Sequence, residues 1–366
     1  MKPKIIHLTT SLKVGGAESL ICDILRHLKN DYEHHVIYFH DGPNVARIKE
    51  LGIKTYQIKG LVCKYDPIFC ISLFKLIYKL SPNYILSHLW SANLLGSIIA
   101  KIIRVPIVCV MHLASNVETQ SKNNFLRDSL DKITFACSKR LVAVSDGVYK
   151  DLLSLSPAIK EKLTVINNGI DYNNVVALGT RQAKQREDFG LNSQHFVIGC
   201  VGRFIPRKRH ELLIISFADC VKDNPNIRLF LLGSGPLEIS LKNKAKELGI
   251  EDKVIFASTD NAYGFYPLFD IYVSTSKEEG LSIALLEAMS FALPCIVTNK
   301  TKEHEVITNN FDGFVIEEDQ ENKLQKVFIK LQNLELRTKM GESAKETVKT
   351  RFCFNKMINQ YKQVLE

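Results

Sequence analysis

Along this chain, short and nearly all-apolar runs recur. Each passes through a polar or glycine-bearing turn into a helical stretch, and the rhythm is played twice. In the first half the β-rich runs are Ile5–Leu8, Val36–Tyr38, Tyr84–Ser87, Ile107–Met111, Leu141–Val144 and Leu163–Ile166, interleaved with helical stretches such as Ala17–Leu28 and Leu94–Ile103. The second half reads Phe196–Val201, Glu211–Asp223, Arg228–Leu232, Leu237–Leu248, Val254–Phe256 and Ile271–Ser274, then a helix that contains Glu287. Strands apolar on both faces belong to parallel sheets covered by helices. The expected fold is α/β, with two doubly wound, Rossmann-like parallel-sheet domains. Their bounds are read as residues 1–174 and 196–353, with a polar, aperiodic linker at 175–195. The repetition is one of pattern only, without local sequence identity.

A chain of 366 residues is too long for one ordinary core, which agrees with two domains. Its 46% apolar and 24% charged residues are those of a soluble globular protein. The apolar run in MKPKIIHLTTSLK is far too short for a signal peptide. Ser91–Met111 is interrupted by Lys101, Arg104 and Pro106, so a core helix followed by a buried strand explains it better than a membrane span. Nine cysteines without a C-x-x-C pair point to reduced thiols in the cytoplasm, and zinc is not expected. Residues 1–174 carry +8 of the net charge of +9. That half suits an anionic partner such as a phospholipid surface or a phosphorylated acceptor. Nucleic acid is not expected, because no aromatics interleave with basic residues on strands.

In open parallel sheets ligands sit beyond the carboxyl ends of the strands. Polar, glycine-bearing insertions gather there: VGGAE after Ile5–Leu8, GRFIPRK after Val201, GSGP after Leu232 and TSKEEG after Ser274. Gly15, Gly16, Gly233 and Gly235 let backbone amides approach an anion, although neither turn matches G-x-G-x-x-G or a P-loop. Gly202-Arg203 with Lys208 supplies a planar fork and a point charge suited to a diphosphate, while Arg207 and Arg209 read as ordinary surface cations. Beyond Gly280, the amides of Leu281, Ser282 and Ile283 open a helix and favour an anion. Two carboxylates accompany these cations: Glu279 in the turn and Glu287 in a helix otherwise apolar on nearly every side. Carboxylates repel phosphate but bond hydroxyls, so a nucleotide joined to a sugar satisfies the whole set.

With these residues in view, the chain resembles the retaining glycosyltransferases of family 4, which have the GT-B fold of two facing doubly wound domains. The likeness runs through VGGAE, VSDGV at 144–148, VINNGID at 165–171, VGRFIPRKR at 201–209, LLGSGP at 231–236, EEGLSIALLEAM at 278–289 and NFDGFVI at 310–316. It implies transfer of a hexosyl or N-acetylhexosaminyl group from a UDP-, GDP- or ADP-sugar to a glycan or lipid-linked acceptor. Arg203 and Lys208 would hold the diphosphate, Glu287 the ribose and Glu279 the transferred sugar. Gly15 and Gly16 would close over the donor, His112 would stand near the reacting sugar, and His88 would line the acceptor side. Helix 354–366 would pack back on the first domain. The resemblance also points to bacterial polysaccharide or lipopolysaccharide assembly, with the enzyme cytoplasmic and peripheral on the membrane. No D-x-D pair is present, so the cationic pair would replace a metal, and no cofactor is expected.

The chain departs from the family after Cys295–Val297. Thr301 and Lys302 stand where a glycine pair is usual, with Glu305 at the following glutamate, and Ala292 replaces a frequent glycine. Two rival readings are a GT-B enzyme that does not transfer, such as an epimerase or phosphorylase, and an inactive nucleotide-sugar-binding subunit.

Overall fold

A computed structural model describes residues 2–60, 66–113, 124–317 and 323–365. The chain divides into two units, Met1–Asn168 with Lys356–Glu366, and Gly169–Asn355.

The first unit is built on seven parallel strands: β1 Lys4–Ser11, β2 Glu33–His40, β3 Lys54–Gln57, β4 Tyr84–His88, β5 Ile107–Met111, β6 Arg140–Ala143 and β7 Leu163–Val165. Their spatial order is β3-β2-β1-β4-β5-β6-β7. Central strands are apolar on both sides because helices cover both faces, and Ile107–Met111 is buried along its whole length. Ser91–Met111 resolves, as expected, into a helix at Trp90–Ile103 followed by β5. The edge strand β3 has no apolar run and is only half-buried. The helix at Phe354–Leu365 supplies Met357, Ile358, Tyr361 and Leu365, all buried, and Lys362 pairs with Asp31 at 2.6 Å.

The second unit repeats the plan with six parallel strands: β8 Phe196–Val201, β9 Ile227–Leu232, β10 Val254–Ala257, β11 Ile271–Ser274, β12 Cys295–Thr298 and β13 Gly313–Ile316. Their order is β10-β9-β8-β11-β12-β13. One apolar layer around Phe204, Phe217 and Phe328 and another around Phe230, Tyr266 and Tyr272 enclose the sheet. The stretch read as a linker is instead folded into this unit. Tyr172–Arg181 is a helix, Gly179 lies against Phe291, and Arg186 pairs with Asp270 at 2.9 Å. Its polar surface hides these anchors from periodicity alone.

Ala292 holds φ 55, a left-handed conformation that a Cβ disfavours and glycine adopts freely. Among the described residues, no helix is long and apolar enough to cross a membrane.

Candidate active site

In both sheets the strand order reverses beside the first strand of the unit: between β1 and β4, and between β8 and β11. Crevices at the carboxyl ends of such strand pairs are where open α/β sheets bind ligands.

In the second unit, three turns meet at this point and are stitched together. The Thr275 hydroxyl lies 3.1 Å from the carbonyls of both Lys208 and Arg209, and the Lys277 amide donates to the Arg207 carbonyl at 2.8 Å. The Lys302 amide donates to the Glu279 carbonyl at 3.0 Å. Arg209, at φ 52, is the left-handed residue that turns the chain into the next helix. Glycines serve close approach here. A Cβ on Gly233 would stand 2.0 Å from the Gly202 carbonyl oxygen, one on Gly235 would stand 2.6 Å from that of Phe204, and one on Gly202 would press on the Lys208 stem at 3.3 Å.

The expected residues of this unit are brought together. Lys208 Nζ pairs with Glu279 Oε1 at 2.8 Å, both side chains being largely buried, while Arg203 is exposed beside them. Arg207 is no ordinary surface cation: it lies 3.4 Å from the same carboxylate oxygen and donates to the Glu278 carbonyl at 3.2 Å. Burial works to raise the Glu279 carboxyl, but Lys208, then Arg207 and Arg203, hold it below its ordinary value.

Glu287 is 8% exposed in the helix Ile283–Ser290, whose first turn is capped by the Ser282 hydroxyl accepting from the Leu285 amide. Leu281 and Gly280 are buried just before it. The Tyr266 hydroxyl donates to Glu287 Oε2 at 2.6 Å. Burial first, and the Glu287 charge second, push the Tyr266 phenol well above its ordinary range, so it remains a donor. Sequence reasoning missed Tyr266, since an aromatic in NAYGFYPLFD reads as core.

Glu303 was also missed. It is fully buried in the turn after β12, and Oε2 accepts from the Ser274 hydroxyl at 2.7 Å, with the Thr301 hydroxyl 3.1 Å away. Glu305, read as the family's glutamate, is only half-buried, and its carbonyl accepts from Arg351 at 3.0 Å. The side chains that replace the glycine pair are what build this pocket: Thr301 turns inward and is itself fully buried.

The first unit holds the remaining candidates. Gly15 precedes the helix Gly16–Leu28, and a Cβ there would stand 2.3 Å from the Glu18 carboxylate, which folds back over it. His112 follows β5 and is flanked by His88 at a ring-centroid distance of 5.9 Å. His88, expected on the acceptor side, is fully buried, 6.4 Å from the stacked ring of His7, which in turn meets His34 at 3.0 Å between ring nitrogens. Burial pushes His112 down to about 4 and takes His7 and His88 well below the ordinary imidazole range. Among the described residues, no three His, Cys, Asp or Glu side chains are grouped so as to hold a metal ion.

Comparison with known proteins accounts for both halves. Residues 14–174 match the family described as Glycosyltransferase Family 4, and residues 181–347 match Glycosyl transferases group 1. An Escherichia coli UDP-Gal:alpha-D-GlcNAc-diphosphoundecaprenol alpha-1,3-galactosyltransferase is 24% identical, covering 99% of this chain and 96% of its own. The capsular polysaccharide biosynthesis glycosyltransferase CapM of Staphylococcus aureus is 26% identical over 95% of this chain and 93% of its own. Among solved structures, Anabaena HepE in complex with UDP and glucose superposes with a TM-score of 0.85, at 20% identity over 99% of each chain. With two family models spanning nearly the whole chain and the fold they require, the protein belongs to glycosyltransferase family 4 and has the GT-B fold.

Proposed function

We propose that this glycosyltransferase moves a hexosyl or N-acetylhexosaminyl group from a nucleoside diphosphate sugar to a glycan or lipid-linked acceptor, with retention of configuration and with neither metal nor cofactor. The observation that carries the reading is the Arg203, Lys208 and Glu279 cluster at the strand-order reversal of the second unit. An ammonium has three N–H donors, so Lys208 can hold Glu279 and a phosphate oxygen together. Departure of the diphosphate leaves negative charge on a phosphate oxygen while the sugar becomes oxocarbenium-like. Fixed cations aimed at that oxygen stabilise this state more than the ground state, which is where catalysis comes from. Glu287, oriented by Tyr266, would take the ribose hydroxyls, and Glu279 the hydroxyls of the moving sugar. The names of the Escherichia coli and Staphylococcus aureus relatives support a lipid-linked acceptor in surface polysaccharide assembly.

The acceptor would be met at the cytoplasmic face of an anionic membrane. The helix Pro67–Leu80 supports this with Ile68 77%, Ile71 53% and Tyr78 67% exposed, beside Lys75 and Lys79. A further apolar and cationic stretch, Lys122–Arg140, begins outside the described residues. Its described part, the helix Asn124–Cys137, exposes Leu126 and Ile133.

A thermal-shift screen of UDP-, GDP- and ADP-sugars tests the donor, since a bound donor raises the melting temperature by mass action. A rise with one nucleotide series, followed by sugar transfer to polyprenyl diphosphate glycans, is the expected result. Epimerised donor without transfer, or binding without turnover, would replace this reading with one of the two rivals. Sedimentation with phosphatidylglycerol vesicles at low salt tests the membrane, and absence of binding removes it.

A further inference from the structure

Glu303 differs from the other carboxylates of the second unit. It is fully buried, Oε2 is bound by Ser274 and approached by Thr301, and Oε1 is buried without a hydrogen-bond partner. Its charged surroundings come from three turns. Lys208, after β8, opposes the carboxylate charge, while Glu279, after β11, adds to it. Lys302, His304 and Glu305 neighbour it on its own turn, the His304 ring being bonded to the Thr301 carbonyl. Beneath lie Tyr272, Cys200 and Cys295, which burial keeps neutral. Lys208 is therefore the cation that the two buried carboxylates share, Arg207 and Arg203 acting on Glu279 and not on Glu303, and Glu279 already holds Lys208 at 2.8 Å.

A diphosphate arriving at Lys208 brings further negative charge and takes a share of that ammonium. A fully buried carboxylate with one oxygen unbonded is strongly disfavoured in its ionised form against both Glu279 and phosphate. We propose that Glu303 is a residue of the diphosphate site, and that a nucleoside diphosphate binds with uptake of one proton from solvent onto Glu303 Oε1. Oε2 already accepts from Ser274, so Oε1 is the oxygen able to carry the proton. The carboxyl is poised for this: burial raises it, Lys208 opposes that rise, and Glu279 adds to it. The inference rests on the nucleotide-sugar reading and adds a residue to it.

The sign is fixed by linkage. The bound state holds a proton that the free state has lost at higher pH, so affinity falls as pH rises, by up to about tenfold per pH unit. Calorimetry of UDP, GDP and ADP binding from pH 6 to 8.5, in two buffers of different ionisation enthalpy, reads both the affinity slope and the proton uptake. The Glu303→Gln variant keeps an oxygen for Ser274 and Thr301 and has no proton to gain, so its dissociation constant should be flat with pH once the nucleotide's own ionisation, common to both proteins, is subtracted. Ser274→Ala removes a hydrogen bond to the charged form and should move the pH at which affinity begins to fall upward. An equal slope and equal uptake in wild type and Glu303→Gln would overturn the proposal while leaving nucleotide binding intact. If none of the three nucleotides binds the wild type at any pH, the nucleotide reading fails, and this inference fails with it.

Discussion

Both units order their strands alike, yet the reversal points carry opposite chemistry. In the second unit the crevice is charged and cross-braced: Lys208 and Arg207 on Glu279, Tyr266 on Glu287, Ser274 on Glu303, with three turns joined through backbone bonds. In the first unit the reversal point is met by neutral imidazoles: His88 ends β4 and His112 follows β5, and a row of rings continues from His88 through His7 in mid-β1 to His34 near the start of β2, with His88 bonded to nothing among the described residues. The same sheet therefore fixes where polar groups stand and leaves their charge to the side chains. Paired charges resist acid until the carboxylates titrate, whereas buried neutral rings resist it only while they remain neutral.

Acidification should separate the two regions most widely. An unfolded imidazole titrates near 6.5, but burial pushes His112 to about 4 and His7, His34 and His88 downward too. Below about 6.5 the unfolded chain binds more protons, so the stability contributed by the neutral rings is full above that pH and falls as the pH drops towards 4. For a ring that stays neutral down to about 4, as His112 does, the loss is at most about 1.4 kcal/mol per pH unit. Glu279, held low, loses its contribution only below about 4.5, and among the described residues of the second unit His210 is the one deeply buried imidazole. Scanning calorimetry between pH 7 and 4.5 should show the first unit's transition falling first. Parallel loss in both units would erase the distinction.

Lys208→Ala should come next, because it leaves Glu279 and Glu303 buried without their main counter-charge. We expect a loss of about 3 kcal/mol in urea unfolding together with loss of nucleotide binding. Arg203→Ala, at an exposed position, should cut turnover at least about a hundredfold, equivalent to about 2.7 kcal/mol, with little change in melting temperature. Turnover above a tenth of wild type would remove Arg203 from the leaving-group role. The smallest effect is expected from Ala292→Gly, which relieves a left-handed alanine and should stabilise the second unit by about 0.5–1 kcal/mol.

Much of this contrast could be read from residue order. Continuous apolar runs announced the central strands, and Arg203, Lys208, Glu279 and Glu287 stood out as charges at strand ends or in an apolar helix. The edge strand β3 escaped because a half-buried strand lacks an apolar run. Glu303 escaped because KEHE reads as a solvated charge run, and nothing in the spacing shows that Thr301 turns inward and carries the next carboxylate with it. Arg207 looked like surface until the turn placed it on Glu279. The histidine stack escaped because its members come from four distant segments, joined only by strand register: His7 on β1, His34 on β2, His88 on β4 and His112 after β5.

Tyr361, Met357 and Leu365 complete the core of the first unit, although they follow the whole of the second unit in the chain. During synthesis the ribosome delivers them only after Gly169–Asn355. At ordinary elongation speeds, the first unit waits on the order of 10–40 seconds, while Gly169–Asn355 is translated, with part of its apolar surface uncovered. That interval is when chaperones would find it, and a premature stop just before Lys356 would make the exposure permanent.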